Sequence, residues 1–239
     1  MHDHILVIDI ETVSATATLE ELDPRLQKQW ERKCKWIQNP EELLPEELYK
    51  KRAGIYAEFG RVVCISLGFF SYLHSDGSNN WQLRVKAIYN DDEKALLQEF
   101  AEMISSKFDQ RKTRFVSHNG KEFDLPFLCR RMLINGIALP DILQLAGKKP
   151  WENPHIDTLE NWKFGDYKHY TSLELLTALF DIPTSKDDID GSMVSQVYYE
   201  QGDLNRIAEY CCNDVVATAQ LYLRMNLQAL IAEENIHIV

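Results

Sequence analysis

Apolar residues near the start of the chain come in short runs that are typical of β-strands. The run at 5–10 is too short for a helix, rich in β-branched residues and apolar on both faces, which indicates a central strand covered on both sides. Two further runs, at 61–72 and 81–89, flank turn-forming residues at 75–80. We therefore predict a central strand followed, after a long interval, by a β-hairpin.

The interval between the first strand and the hairpin has a helical pattern of acidic and basic residues. It runs from 18 to about 58, where Thr18-x-x-Glu21 matches a capping box and Pro40 and Pro45 are expected to break helices. This pattern predicts a helical insertion after the first strand, at about 15–60.

Apolar residues in the rest of the chain recur at helical spacing, with short strands between the helices. The predicted elements are, in order, a helix that begins at Asp91, a strand at 113–117, a helix at 124–133, a strand at 155–158, helices at 172–180 and 192–200, and a final helix from 203 to about 230. Strands that first form a hairpin-bearing group and then alternate with helices predict an α/β fold, with a mixed β-sheet flanked by helices on both faces.

Length and composition favour a single domain. The 239 residues can bury one substantial core, and no linker-like segment divides them. With 45% hydrophobic and 26% charged residues the composition is ordinary for a soluble protein, and no apolar stretch is long enough for a membrane span. The first four residues lack the basic start of a secretion signal, so we expect no membrane association and a cytoplasmic location.

Charge and sulfur content narrow the kinds of site that the chain can carry. The net charge of -11 argues against broad electrostatic coating of a nucleic acid, so any such contact must be local. The five cysteines show no Cys-x-x-Cys pair and are expected to be reduced core thiols. The histidines lack the spacing of a zinc site, which leaves carboxylate chemistry with a hard metal ion open.

Asp9 and Glu11 interrupt the first apolar run and share one face of the predicted strand, because side chains alternate along a strand. Two like charges taken out of water repel each other, and a divalent cation between them would relieve the repulsion. Considered alone, the pair is a weak signal, because Asp-x-Glu often occurs by chance and a strand end can simply be solvated.

Two further acids lie in structured contexts. Asp124 ends the loop at 117–124 and precedes a proline and a helical pattern, so it is either a helix N-cap, a metal ligand or both. Asp214 interrupts an apolar helical stripe four residues after Tyr210, which places the phenol and the carboxylate on one helix face. Considered alone, Asp214 is also compatible with a partly exposed acid at the edge of a core stripe.

Taken together and in chain order, Asp9-x-Glu11, Phe123-Asp124 and Tyr210-x-x-x-Asp214 closely resemble the three exonuclease motifs of the DEDD superfamily. The chain most resembles the stand-alone 3'-5' exonucleases related to the proofreading domain of family B DNA polymerases. Glu209 occupies the position of the histidine in the histidine branch, and Tyr210 matches the tyrosine (DEDDy) branch. The segments 155–159, 172–176 and 190–194 are also similar to this family, whereas the insertion departs from its compact pattern.

The resemblance implies a ribonuclease H-like fold and a two-metal hydrolytic mechanism. It implies that Asp9, Glu11, Asp124 and Asp214 hold two Mg²⁺ or Mn²⁺ ions and that Tyr210 orients the attacking water. The expected reaction releases nucleoside 5'-monophosphates from the 3' end of a single-stranded nucleic acid, with DNA favoured.

Several residues are candidate contacts for that strand. These are the backbone at Thr12 and Val13 for the terminal sugar, Asn119 for a hydrogen bond, Phe123 for the terminal base or the core, and Lys186 for a phosphate. Cations and aromatic residues also interleave at 148–151 and 163–170, as in single-strand binding surfaces or in solvated loops.

Two other functions remain open from the sequence. A ribonuclease D-like enzyme would trim RNA with the same carboxylates, since a single contact to the 2'-hydroxyl decides between the sugars. A non-catalytic nucleic-acid-binding module would be expected to have lost one or more of the acids, and this chain keeps them. Weak binding of a polyanion by an acidic chain would favour a protein partner for targeting, and the sequence indicates no oligomeric state.

Overall fold

A mixed β-sheet forms the centre of the molecule. The computed structural model describes residues 4–75, 78–166, 170–184 and 189–239. Within these residues the strands are β1 (Ile5–Ser14), β2 (Gly60–Ser75), β3 (Ser78–Tyr89), β4 (Arg114–Ser117), β5 (Ile156–Asp157) and β6 (Ile236–Ile238). Their order across the sheet is β5-β4-β1-β2-β3-β6. The strand that carries Asp9 and Glu11 is therefore internal.

Strand directions make the sheet mixed, as predicted. β1 pairs antiparallel with β2 and parallel with β4, and β2 pairs antiparallel with β3. The short outer strands are parallel to their neighbours, β5 to β4 and β6 to β3. The pairing of β1 with β2 shifts register between Glu11 and Thr12, so the strand is irregular directly after the acidic pair.

Helices cover both faces of the sheet, which confirms the predicted layering. They are α1 (Pro24–Cys34), α2 (Pro45–Arg52), α3 (Glu93–Lys107), α4 (Asp124–Ile134), α5 (Thr158–Lys163), α6 (Leu173–Leu179), α7 (Val194–Gln196), which continues into a π-helical turn (Val197–Gln201), and α8 (Leu204–Met225). Leu6 and Ile8 on β1 enter the core formed with α3 and α4. Val7, on the opposite face, packs against α8.

A buried ion pair fixes the helix that carries Asp124. Arg131 on α4 donates hydrogen bonds to both carboxylate oxygens of Glu93 at the start of α3, at 2.8 and 2.6 Å. The same carboxylate accepts from the backbone N–H of Val62 on β2. The pair is bidentate and buried, so it joins α4, α3 and the sheet with defined geometry.

The predicted insertion is helical, with a small core of its own around Trp30. The Trp30 ring makes edge contacts with Tyr49 and Phe59, and its indole N–H donates to the Pro45 carbonyl. The capping box predicted at Thr18 is wrong, because the Thr18 side chain makes no capping hydrogen bond. Asp23 caps α1 instead, by accepting from the N–H of Arg25.

Several predicted boundaries differ from the structure. α3 begins at Glu93, because Asp92 and not Asp91 accepts the first N–H groups. The last helix ends at Met225, and the chain then forms β6, which the sequence analysis missed. The predicted hairpin turn includes residues 76 and 77, which lie outside the described residues. In the described part of the chain, no helix has the length and apolar character needed to cross a membrane.

Candidate active site

β1 carries Asp9 and Glu11 on the face that α8 covers. Asp9 pairs across the sheet with Ser66 and Glu11 with Cys64. Carboxylate oxygens of Asp9 and Glu11 lie within 4.8 Å of each other and of the Cys211 sulfur on α8. The predicted placement of both acids on one strand face is therefore observed, and Glu11 is only 8% exposed.

Asp124 joins this group from α4, which packs on the face of the sheet opposite to α8. Its carboxylate Oδ1 accepts a hydrogen bond from the backbone N–H of Ile10 at 3.2 Å. The predicted N-cap role is wrong, because Asp124 is the first residue of α4 and Phe123, at the N-cap position, makes no side-chain cap. The carboxylate is turned toward the strand that bears the other two acids, and 4% of the residue is exposed.

A tight loop brings Asp124 to this position. Asn119 has a left-handed φ of 65°, and Gly120 then passes close to Ser117. A Cβ on Gly120 would lie 2.3 Å from Ser117 Oγ and 3.1 Å from Asp124 Oδ2. Only a residue without a side chain fits between the strand end and the carboxylate.

Asp157 at the end of β5 holds the same loop. Its carboxylate accepts from the N–H groups of Asn119 (2.9 Å) and Lys121 (3.0 Å), and also from those of Leu159 and Glu160 at the start of α5. One buried acid therefore ties the Asp124 loop to the neighbouring helix.

α8 contributes Tyr210, Cys211 and Asp214. The Tyr210 hydroxyl donates to the Asp214 carboxylate one helical turn later, as the spacing of four predicts. The Cys211 thiol donates to Asp9 Oδ2 at 3.3 Å and lies 3.5 Å from the Asp9 carbonyl oxygen. The three residues therefore meet the acids of β1 from one helix.

Burial and mutual repulsion shape the electrostatics of the four carboxylates. Burial, followed by the charges of Asp124, Glu11 and Asp214, raises the pKa of Asp9 well above its ordinary value. Burial, followed by the charges of Asp214 and Asp124, raises the pKa of Glu11 in the same way. Burial is also the main cause that raises the pKa of Asp124, to about 7. The acids are thus close enough to disfavour one another's ionised forms.

The same surroundings keep the Tyr210 phenol protonated. Burial and the negative charges of Asp214, Glu11 and Asp9 raise its pKa well above the ordinary value of 10. A neutral phenol serves as a hydrogen-bond donor.

The donor set fits hard divalent cations. Among the described residues, no lysine, arginine or histidine forms an ion pair with Asp9, Glu11 or Asp124. Buried carboxylates without a cationic partner are costly, and oxygen donors of this kind are those that Mg²⁺ and Mn²⁺ prefer. The neutral Cys211 thiol adds a softer potential donor next to Asp9.

The predicted sugar contacts, Thr12 and Val13, directly follow Glu11 on β1. The Thr12 hydroxyl donates to the Gly54 carbonyl at 2.8 Å, and the Val13 side chain is buried in the core. A Cβ on Gly54 would lie 3.2 Å from the backbone carbon of Val13. The end of the insertion thus packs directly on this backbone, and a role in sugar binding stays a prediction.

The other predicted substrate contacts have different surroundings. Asn119 is half-buried beside Asp157, in the wall of a pocket next to the acids. Phe123 packs against the core and against the Phe127 ring, with ring centres 5.5 Å apart, as the core alternative predicts. Lys186 lies outside the described residues.

Several residues that organise the site are not among the predicted site residues. Cys211 is predicted only as a core thiol, although its position three residues before Asp214 on a helix is a usable signal. His118 bridges the loop to α5, because its Nδ1 lies 2.9 Å from the Thr158 hydroxyl and its Nε2 lies 3.0 Å from the Thr171 carbonyl. No local pattern identifies such long-range contacts.

The chain is similar in sequence to a protein family and to a DNA polymerase. Residues 55–236 match the family described as "Predicted 3'-5' exonuclease related to the exonuclease domain of PolB", a stretch that includes Asp124, Tyr210 and Asp214 and begins after Asp9 and Glu11. The chain is 30% identical over 145 residues to the catalytic polypeptide of DNA polymerase epsilon from Yarrowia lipolytica, which is 57% of this chain and 6% of that protein.

A solved structure supports the fold. The family B DNA polymerase of the hyperthermophilic archaeon Pyrobaculum calidifontis superposes with a TM-score of 0.56 and 14% identity, covering 93% of this chain and 24% of the polymerase. The mixed sheet with helices on both faces is consistent with a ribonuclease H-like fold. Because the family model matches most of its length, the chain belongs to the family of 3'-5' exonucleases related to the exonuclease domain of PolB.

Proposed function

We propose that this protein is a metal-dependent 3'-5' exonuclease of the tyrosine branch that acts on single-stranded nucleic acid. The observation that carries the proposal is the convergence of Asp9, Glu11, Asp124 and Asp214 from β1, α4 and α8. Their pKa values are raised where an effect is resolved, and the described residues supply no side-chain cation to Asp9, Glu11 or Asp124.

The four carboxylates would hold two Mg²⁺ or Mn²⁺ ions. When bound, these ions neutralise charge on the scissile phosphate and lower the pKa of the attacking water. The rigid contacts described above, such as the N–H of Ile10 on Asp124, keep the carboxylates oriented before any ion or substrate binds.

Tyr210 acts by orientation. Its neutral hydroxyl already donates to Asp214, so it is placed to hold a water molecule beside that carboxylate rather than to remove a proton from it. Water attack on the terminal phosphodiester breaks the bond to the 3' oxygen of the penultimate nucleotide and releases a nucleoside 5'-monophosphate.

DNA is the favoured polymer, because both relatives are DNA polymerases. We treat residues 1–239 as one exonuclease domain with the insertion at about 15–60, since its end packs on β1. The chain spans only a small part of those relatives, so polymerase activity is not carried over. The cytoplasmic location and a protein partner for targeting stay predictions.

The test is degradation of 5'-labelled single-stranded DNA and RNA with Mg²⁺, Mn²⁺ or chelator, by wild type and by Asp9→Asn and Asp214→Asn. Glu209→Gln is the matched control, because Glu209 lies on α8 but is exposed. The proposal predicts a ladder that shortens from the 3' end in wild type and control only, and that chelator abolishes. Undegraded polymer under every condition, with binding unaffected by the substitutions, would support the non-catalytic module instead.

A further inference from the structure

We infer that a lysine-lined pocket beside the acids binds the phosphodiester backbone of a single strand, on the 5' side of the nucleotide being removed; this inference rests on the proposed exonuclease function. The pocket, called here the lysine pocket, has a volume of about 340 Å³. Its walls include Lys121, Lys148, Lys149 and Lys163, with Asn119 and Asn153 between them. Its size falls within the range of pockets that hold small ligands or single nucleotides, about 300–1,000 Å³.

The lysine pocket adjoins the loop that leads to Asp124. Asn119 and Asp157 line the pocket, and the Asp157 carboxylate accepts from the N–H of Asn119 in that loop. The Tyr170 ring lies 6.4 Å from the ring of His118 in the same loop. In this inference, a strand whose 3' end lies at the acids extends over the loop and places the preceding nucleotides in the pocket.

The charges of the pocket favour a polyanion, although the chain as a whole carries -11. Lys121 forms an ion pair with Glu160 at 2.7 Å. Within the residues that the structure describes, Lys148, Lys149 and Lys163 have no such carboxylate partner. Three unpaired ammonium groups around one concavity match the local contact that an acidic nuclease needs.

Two of the three carboxylates in the pocket wall already have hydrogen-bond or ion-pair partners within the protein. The Asp157 carboxylate accepts hydrogen bonds from four backbone N–H groups. Glu160 is paired with Lys121, and Glu122 is the remaining carboxylate in the wall. The balance of the lining is therefore positive where the rest of the molecule is negative.

Exposed aromatic rings adjoin these lysines. Trp151 is 77% exposed and its ring lies 5.2 Å from Lys149 Nζ. Phe164 directly follows Lys163, is 91% exposed and has a left-handed φ of 45°. A bulky residue in this conformation is strained, and here it presents its ring to solvent. Lysines that follow a backbone and rings that stack on bases are the two components of sequence-tolerant single-strand binding.

The first experiment measures binding without catalysis. Fluorescence anisotropy in chelator follows a 12-nucleotide single-stranded DNA and the matching RNA, with wild type, the triple variant Lys148→Ala/Lys149→Ala/Lys163→Ala and Trp151→Ala. The control is Lys28→Ala/Lys35→Ala/Lys94→Ala, which removes the same charge from exposed positions elsewhere. We expect the pocket triple variant to weaken binding roughly 10- to 100-fold and to reduce the slope of log affinity against log salt by about 2, whereas the control changes neither.

The second experiment distinguishes strand binding in the pocket from hydrolysis at the acids. The kinetics of hydrolysis by the same proteins are measured with the 12-mer and with the p-nitrophenyl ester of thymidine 5'-monophosphate, which has no strand on its 5' side. We expect the pocket variant to raise KM for the 12-mer and to hydrolyse the ester like wild type.

The outcomes distinguish the two proposals. If the pocket variant binds and hydrolyses the 12-mer like wild type, the inference about the pocket is wrong and the proposed exonuclease function still holds. The same conclusion follows if the pocket variant loses activity equally on the 12-mer and the ester. Binding that depends on the pocket, combined with no cleavage of either substrate by wild type, would overturn the proposed function and leave the pocket as a strand-binding site. Tighter binding of either the DNA or the RNA 12-mer in the anisotropy measurement indicates which polymer the pocket prefers.

Discussion

Replacing Tyr210 by phenylalanine tests whether the phenol hydroxyl orients the attacking water. The substitution keeps the ring and removes the hydroxyl that donates to Asp214. We expect kcat to fall about 100-fold, as for a misplaced reactant, with little change in Mn²⁺ affinity. Single-turnover rates and titration calorimetry measure the two quantities. An unchanged kcat, or a Mn²⁺ affinity that falls in parallel with kcat, would exclude a role confined to water orientation.

Gly120→Ala tests the close approach behind Asp124. The added Cβ would meet Ser117 at 2.3 Å and Asp124 Oδ2 at 3.1 Å, so the carboxylate must move. We expect a loss of roughly 1–3 kcal/mol in unfolding free energy and a fall in kcat of at least about tenfold. Gly191→Ala is the control, since nothing lies within 4 Å of the added atom there. Equal effects of the two substitutions on kcat would contradict this account.

At the scale of elements, the long periodic segments were predictable and the short ones were not. The alternating and helical patterns identified β1, the hairpin, α4 and the stretch that became α8. β6 is not predicted because its three residues carry too little pattern, and the π-helical turn Val197–Gln201 overlaps a segment predicted as a regular helix. The pairing of β5 with β4 depends on buried contacts that are distant in sequence.

His155 makes one of these contacts and predicts a pH dependence of stability. Its Nδ1 accepts from the N–H of Phe115 on β4, and its Nε2 lies 3.0 Å from the Ile142 carbonyl, so the ring must be neutral. Burial lowers its pKa to about 4. Because the folded pKa lies below the ordinary value of about 6.5, the contribution is present above pH 6.5 and is lost as pH falls toward 4, with a total of roughly 3 kcal/mol.

The measurement compares urea unfolding of wild type and His155→Gln between pH 7 and pH 4.5. Glutamine keeps a polar group but does not titrate in this range. We expect wild type to be more stable at pH 7 and the difference to shrink steadily as the pH falls. A difference that is independent of pH would show that protonation of His155 does not control the β4–β5 connection.

In the molecule as a whole, the negative net charge opposes binding of the negatively charged nucleic acid that is the proposed substrate. A chain of charge -11 concentrates four of its carboxylates in one partly buried site, and the lysine pocket offsets this negative charge locally. The identity of the four acids could be predicted from their order along the chain. The cations at 148–149 and 163 could also be recognised, but their convergence around one pocket beside Asn119 could not, and neither could the contact of Cys211 with Asp9, because both depend on tertiary packing.

Because the buried carboxylates repel one another, we predict that removing one of their charges stabilises the metal-free protein and abolishes its activity. Asp124→Asn removes a buried like charge but keeps an oxygen that can accept from Ile10. Because the Asp124 pKa is raised to about 7 in the folded protein, against about 4 in the unfolded chain, ionisation of this group lowers the stability of the metal-free protein progressively as pH rises from about 4 to 7. We expect the variant to have a Tm a few °C higher at pH 8 in chelator, given about 2–4 °C per kcal/mol, and the advantage to shrink as the pH falls from 7 toward about 4.

Saturating Mg²⁺ provides the control for that comparison. A ligand that binds only the folded state stabilises it, so Mg²⁺ should raise the Tm of wild type more than that of Asp124→Asn. If the variant melts below wild type in chelator at pH 8, charge repulsion is not the dominant cost at this position.

The chemical identity of the first product shows whether the protein hydrolyses a strand from its 3' end. A single-stranded DNA labelled in its 3'-terminal nucleotide is digested for less than one turnover in ¹⁸O-water with Mn²⁺. We predict that the label appears as a nucleoside 5'-monophosphate with one ¹⁸O in its phosphate, and that Asp214→Asn releases none. A labelled oligonucleotide, a nucleoside 3'-phosphate or a label that stays on the strand would contradict the proposed reaction.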